Sequence, residues 1–358
     1  MNPVVRAQAL RFPGLDGLRA LAVSLVLVDH AFWLPNDGAG GHATGYLGVC
    51  VFFVISGFLI TSLLAREMSS AGKLDLRNFY ARRVLRIFPA FYFYIAVLIA
   101  LRMAGLVSFP WRGVWAPATF TRNIFYSAPM LNHFWSLSVE EQFYLLWPAA
   151  LVLLGVRRAC RAVTGVLLLL PVIFAALWHL GLHQVAAWTD PFVSLAAGCA
   201  LALQRERLHR WRLYGAALRS RWASAVALPV VALLWWARGP SSAGANINRV
   251  EMLGVALGLA FAIDAAANGS FGFRWLDLPP LVWLGGLSYS LYVWQELFAR
   301  GFGLIRFSLP LNLAAIFACA CVSYYGVERP FLRWKRHFAP RPAASPARLA
   351  RSAAAGNS

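Results

Sequence analysis

Ten apolar stretches constrain the fold of this 358-residue chain more than any other feature. Each approaches the roughly 20 residues that a helix needs to cross the hydrocarbon core of a bilayer. Inside lipid a segment must satisfy its own backbone hydrogen bonds, and the alternation of a β-barrel is absent, so helices are expected. The sequence therefore predicts an all-α, polytopic membrane protein with about ten transmembrane helices. The stretches lie near residues 15–34, 46–65, 84–106, 137–155, 162–181, 187–204, 222–238, 250–267, 281–300 and 309–327.

The distribution of charge indicates an orientation. The chain is 60% hydrophobic and 13% charged, with a net charge of +19 that would also suit a nucleic-acid partner. If the N-terminus is cytoplasmic, however, 25 of the 33 Lys and Arg residues fall in inside segments and 7 in outside segments. This bias predicts a bacterial-type inner (plasma) membrane protein with both termini in the cytoplasm. We expect membrane lipids as partners and no nucleic acid; the oligomeric state is left open.

The organisation along the chain is predicted to be simple. Residues 12–337 form one membrane domain, and residues 338–358, rich in Ala, Pro, Arg and Ser, form a disordered cytoplasmic tail. We expect a stand-alone protein without an appended soluble hydrolase-like domain, so its chemistry lies in the membrane domain and its loops. The segment 107–136, rich in Trp, Phe and Pro, is expected to hold a re-entrant or surface helix.

The first apolar stretch carries Arg19 and His30. The two are eleven residues apart, which on a helix places them on one face and separates them by roughly 16 Å. Taken alone, Arg19 reads equally well as an anchor at the membrane surface, and His30 as a core histidine. Their joint occurrence on one face favours function, because a neutral imidazole can take and return a proton. Asp29 points about 100° away and is left out of the catalytic set.

Two arginines at the start of the third stretch form a candidate anion site. Arg83 and Arg86 are three residues apart and share a helix face. Guanidinium groups match phosphate oxygens well. The competing interpretation is the basic flank of a membrane helix, which suits Arg82 better than the deeper Arg86.

Glu140 and Glu141 enter an apolar helix at the predicted outer end of the fourth stretch. Carboxylates in such a place are costly without partners and mark candidate functional sites. Adjacent positions point about 100° apart, so different tasks are expected for them. His133, nearby, ranks below both.

Hydroxyl groups open the ninth stretch. Ser288, Tyr289 and Tyr292 would line a polar path for an acceptor, although hydrogen bonding between packed helices explains them equally well. No Cys or His spacing typical of a metal site is present, so neither a metal nor a bound cofactor is predicted.

Taken in order, these stretches resemble the acyltransferase-3 family of integral membrane O-acyltransferases. The matching pieces are Arg19-x10-His30, Arg83-x-x-Arg86 and the runs 12–19, 48–60, 135–144, 288–294 and 327–331. The resemblance implies about ten membrane helices and transfer of an acyl group, often acetyl from acetyl-CoA as co-substrate, to hydroxyls of surface or exported carbohydrates. Two departures concern the acceptor side: Cys50 stands where the family often has aspartate, and Gln295 where it often has histidine.

The resemblance and the residues together give a set of expected roles. Arg83 and Arg86 bind the CoA phosphates with help from Arg19, and His30 is the general base. Glu140 or Glu141 positions the sugar or His30. Two other functions stay open: acylation of a macrolide or a lipid-linked molecule, and secondary transport of a charged solute. Transporters often show inverted repeats, and none is visible here.

Overall fold

The computed structural model describes residues 12–31, 44–72, 74–182, 189–237, 249–298 and 309–338. Over these residues the chain is helical and contains no strand, which confirms the all-α prediction. The predicted tail lies outside the described residues apart from Phe338. The helices are α1 Leu15–Ala31, α2 Thr44–Ala71, α3 Leu76–Met103, α4 Arg112–Ala118, α5 Phe134–His179, α6 Thr189–Arg210, α7 Arg212–Arg219, α8 Arg221–Ala237, α9 Arg249–Ala267, α10 Pro279–Trp294, α11 Leu309–Val322 and α12 Arg329–Trp334.

Four helical segments of the described chain are long and apolar enough to cross a membrane, or six if two bent pairs each count as one span. The chain is therefore a helical membrane protein, whereas the number of about ten spans stays a prediction. Part of the difference lies in α5, whose 46 residues hold two of the predicted stretches, 137–155 and 162–181. As one straight helix α5 would be about 69 Å long, more than twice the hydrocarbon thickness.

Gly155 divides α5 into two arms. Its φ of +69° lies in the left-handed region, where L side chains are strained, and the helical path bends there. Glycine thus allows a break at the boundary between the two predicted apolar stretches.

The centre of the bundle is α2, which packs against α1 and α6, while α1 also packs against α10. These contacts are close because glycines face backbone. A Cβ atom at Gly48 would lie 2.4 Å from the Ala22 carbonyl oxygen, and one at Gly285 would lie 1.9 Å from the Asp16 carbonyl oxygen. Small residues allow this approach between membrane helices, where packing replaces the hydrophobic effect as the driving force.

The segment 107–136 forms the expected short helix, α4, followed by a 3₁₀ turn over Pro129–Leu131. The amide of Ala128 donates to the Gly113 carbonyl at 3.0 Å and folds the segment back on itself. Trp111, Trp115 and Tyr126 are exposed, as suits a membrane-water interface.

Replacing Gly198 by alanine should weaken the bundle. A Cβ atom there would lie 2.2 Å from the Val54 carbonyl oxygen, so α2 and α6 must separate. Such overpacking costs about 1–3 kcal/mol, and we expect a lower midpoint of thermal unfolding in detergent. The control is Gly165→Ala in α5, where a Cβ atom meets no heavy atom within 4 Å. Equal midpoints for Gly198→Ala and the parent protein would contradict this account of the interface.

Candidate active site

A cavity of about 240 Å³ opens between α1, α2, α3, α5 and α10. Apolar side chains of α2, such as Phe52 and Ile60, form one wall. Seven of the predicted site residues line it together. They are Arg19, Arg83, Arg86, Glu140, Ser288, Tyr289 and Tyr292.

Cations dominate one part of the lining. Arg19, near the start of α1, pairs through Nη1 with Asp16 Oδ1 at 2.7 Å. The guanidinium of Arg83 lies over two rings, 5.7 Å from the centroid of Phe79 and 5.4 Å from that of Tyr144. Stacking of this kind stabilises a guanidinium while leaving its donors free. Arg86 and Lys335 complete this part of the wall.

Glu140 lies in the same cavity and is held by two hydroxyl groups. Ser56 Oγ and Tyr144 OH both donate to its Oε1 atom, and Tyr144 OH is also 2.9 Å from Ser56 Oγ. We expected Glu140 at the opposite end of the molecule from the arginines. The two meet because Arg86 lies ten residues into α3 and Glu140 six residues into α5, so both reach the interior of the bundle.

The hydroxyl groups of α10 are mostly engaged with backbone. Tyr289 OH donates to the Ile87 carbonyl at 2.8 Å. Tyr292 OH is 2.8 Å from the His133 carbonyl and 2.5 Å from Ser136 Oγ. These bonds fix both rings as walls of the cavity. For the two tyrosines, the two interpretations of this stretch, helix packing and acceptor binding, therefore agree with the structure equally well.

Two predicted catalytic residues, His30 and Glu141, do not line the cavity. His30 Nδ1 is 2.8 Å from the Val26 carbonyl, and its Nε2 is 3.3 Å from Glu296 Oε2. The carboxylate that reaches His30 is thus Glu296, whereas Glu140 is bound to Ser56 and Tyr144. Glu141 Oε1 is buried and has no hydrogen-bond partner within the described chain.

His133, the lower-ranked histidine of the sequence prediction, lies next to a residue of the cavity wall. The His133 ring is buried, 5.5 Å from the Tyr292 ring between centroids, and its Nε2 is 3.2 Å from the Val293 carbonyl. Tyr292 itself faces the cavity. The Tyr292 and His133 rings are therefore neighbours, Tyr292 on the cavity and His133 against the backbone of α10.

Sequence reasoning missed five residues of this arrangement: Ser56, Ser136, Tyr144, Glu296 and Lys335. Ser56 and Tyr144 lie in quoted motif runs but look like ordinary helix residues, and only the fold shows them on Glu140. Glu296 could have been recognised as a candidate site residue, since it is an acidic residue at the end of an apolar stretch. Lys335 was counted only as part of the basic flank.

The two departures from the family pattern are both fully buried. Cys50 is among apolar residues of α1, α2 and α6. Gln295 follows α10 directly, and neither its amide nitrogen nor its amide oxygen has a hydrogen-bond partner among the residues described. A buried polar group without partners costs about 1–3 kcal/mol.

The fold and the site define a class of protein. It is a helical membrane protein with a cavity that is lined by cations, a carboxylate and hydroxyl groups. Comparison with known proteins gives the family. A family model for an acyltransferase domain, Acyl_transf_3, matches residues 12–327. The chain therefore belongs to the acyltransferase-3 family, which confirms the resemblance seen in its motifs. No solved structure matches the chain.

Three curated relatives illustrate the match. YrhL of Bacillus subtilis is 31% identical over 89% of this chain and 54% of its own length. The O-acetyltransferase OatA of Staphylococcus aureus is 30% identical over 79% of this chain and 50% of its own. The peptidoglycan O-acetyltransferase OatA of Listeria monocytogenes is 29% identical over 92% and 57%. The chain spans about half the length of the curated relatives it matches.

Replacing Gln295 by methionine should raise stability. Methionine has a similar shape and removes two buried polar atoms that have no partner in the described structure. We expect a higher midpoint of thermal unfolding in detergent. The matched control is Gln142→Met, which removes an amide that donates to the Phe120 carbonyl and to Asn123 Oδ1, both at 2.9 Å, and should lower the midpoint. A fall of equal size in both variants would show that Gln295 is hydrogen-bonded.

Proposed function

We propose that this protein is a membrane O-acyltransferase that moves an acyl group, with acetyl-CoA as donor, to a hydroxyl of a surface or exported carbohydrate. The observation that carries the proposal is the cavity itself. It combines a cluster of cations with a carboxylate and several hydroxyl groups inside a membrane bundle. A thioester with a phosphate-rich head and a long, narrow arm that carries amide groups fits such a lining.

The donor is assigned to the cationic part of the cavity. Arg83 and Arg86 would bind the CoA phosphates through charge-assisted hydrogen bonds, with Arg19 close by and held by Asp16. A volume of about 240 Å³ suits the pantetheine arm and the acyl group. The nucleotide would stay at the mouth, and the thioester would point along the apolar wall towards Ser136 and Tyr292.

His30 is assigned the general base. A proton on Nδ1 would be donated to the Val26 carbonyl, which leaves the Nε2 lone pair free on the side of Glu296. His30 does not line the cavity, so this role requires the acceptor hydroxyl and the thioester carbonyl to meet beside Nε2. There Nε2 would take the hydroxyl proton as the hydroxyl oxygen attacks the carbonyl carbon. The carbon-sulfur bond then breaks, and the imidazolium returns the proton to the thiolate as CoA leaves. Glu296 would stabilise the positive charge on the ring between these two steps.

Glu140, the one of the two predicted carboxylates that lines the cavity, is assigned to the acceptor. Two hydroxyl donors fix the Glu140 carboxylate, and its remaining lone pairs can accept hydrogen bonds from sugar hydroxyls. Ser288, Tyr289 and Tyr292 would line the same pocket. A carbohydrate acceptor is supported by the three relatives, whose names all describe O-acetyltransferases, two of them for peptidoglycan.

The membrane domain 12–337 is proposed to sit in an inner membrane with both termini in the cytoplasm. Acetyl-CoA is a cytoplasmic compound, and the arginines lie towards the ends that the charge bias assigns to that side. The acceptor would arrive from the outer side.

The direct test is transfer by purified protein in detergent or nanodiscs. Labelled acetyl-CoA is incubated with peptidoglycan fragments and other glycans, and mass spectrometry locates the label. His30→Ala should lower kcat about 10²- to 10⁴-fold, the loss typical of a general base. The control is His179→Ala, which removes an exposed histidine at the end of α5. Near-normal turnover by His30→Ala would remove His30 from the mechanism, and no transfer from acetyl-CoA by active protein would remove the donor.

Labelling of single cysteines tests the orientation. Ser69→Cys, at the end of α2, and Ser108→Cys, after α3, are both exposed positions joined by one membrane helix. In a background without the five native cysteines, an impermeant thiol reagent should label position 108 in intact cells and position 69 only after lysis. The reversed pattern would place both termini outside.

A further inference from the structure

Lys335 enters the cavity from a part of the chain far from the other cations in sequence. It begins a 3₁₀ turn, Lys335–Phe338, that follows α12. Together with Arg19, Arg83 and Arg86 it gives the cavity lining four cationic side chains and one carboxylate, Glu140.

Of the acidic groups nearby in the described chain, Asp16 alone forms an ion pair with a cation of this cluster. Asp16 pairs with Arg19 at 2.7 Å. Glu140 accepts from two hydroxyl groups, and Glu328 Oε2 accepts from Ser290 Oγ at 3.0 Å. Within the described chain, no carboxylate lies within 4.0 Å of the charged nitrogens of Arg83, Arg86 or Lys335. Like charges gathered in a membrane bundle repel strongly, so this arrangement favours an anionic ligand with more than one negative charge.

The turn that carries Lys335 is fixed independently of any ligand. Arg82 Nη1 donates to the Phe338 carbonyl at 2.6 Å. The same side chain lies 3.7 Å from Glu67 on α2. Arg82 thereby attaches the turn to α2 and α3, beside Arg83. The position of the lysine is thus built into the fold, which reduces the entropy lost when a ligand binds.

We propose that Lys335 is a phosphate-binding residue of this cavity, and that the ligand it takes carries a diphosphate. This inference rests on the proposed donor site and adds a residue and a ligand class to it. Lysine supplies a compact charge with three donors, beside the planar forks of Arg83 and Arg86. Two adjacent phosphates would occupy all three cations at once, whereas a single phosphate would leave part of the charge without a partner.

Direct binding measurements on the purified full-length protein test the proposal. The probes are CoA, 3′-dephospho-CoA and inorganic pyrophosphate, measured by calorimetry at low and moderate salt. Lys335→Gln should weaken CoA and pyrophosphate binding about ten- to a hundredfold, the range for a hydrogen bond to a charged group. Lys335→Arg should retain most of the affinity. The matched control is Arg336→Gln, which removes the same charge from the exposed next residue and should leave affinity close to that of the parent protein.

The outcomes separate this proposal from the donor assignment. Persistence of the loss with 3′-dephospho-CoA supports the diphosphate, whereas its disappearance there overturns the diphosphate contact. Unchanged affinity in Lys335→Gln, an equal loss in Arg336→Gln, or no binding of any probe by the parent protein would each overturn the proposal. If pyrophosphate binds through Lys335 but acetyl-CoA is never consumed, the residue assignment stands and the donor is wrong.

Discussion

The burial of positive charge in a low-dielectric helical bundle is the main physical constraint on this structure. A buried guanidinium or ammonium group is stable only with a partner, and the cavity between α1, α2, α3, α5 and α10 brings four such groups together. Arg19 has Asp16, and Arg83 has two aromatic faces. The remaining charge is the basis for proposing an anionic ligand at this site. The fold brings these four side chains from distant parts of the chain to one cavity.

Close backbone packing is what makes that gathering possible. Gly285 lets α10 approach the Asp16 carbonyl of α1, and Asp16 is also the residue that holds Arg19. Gly57 and Gly198 do the same for α2 and α6. The packing of α1 thereby sets the position of the Arg19 guanidinium at one end of the helix and of the His30 imidazole at the other. At these contacts the helices approach through their backbones and not through long side chains.

Apolar periodicity and motif order predicted the class of fold and the family, since both depend on local composition and on the order of short motifs. The same reasoning brought Arg19, Arg83, Arg86, Glu140 and three residues of α10 into one hypothesis, and the structure places all of them on one cavity.

The individual side-chain contacts of the site could not be predicted from the sequence, for physical reasons. The partner of His30 depends on how α1 meets the end of α10, and a sequence gives no crossing geometry, so Glu296 was not recognised. The positive-inside count uses every Lys and Arg only as a marker of the cytoplasmic side. Lys335 was therefore not distinguished from the other basic residues near it. The charge bias assigns the ends of a helix to the two sides of the membrane but gives no depth for a side chain, which is why Glu140 was expected far from the arginines.

The central claim is that the acyl-CoA donor occupies this cavity with its phosphates on the cations. The most direct measurement is a structure of the protein with bound CoA in lipid nanodiscs. The account predicts the phosphates within hydrogen-bond distance of Arg83 and Arg86 and the sulfur directed along the apolar wall towards Tyr292. CoA bound at another place, or a cavity that stays empty at saturating CoA, would contradict it.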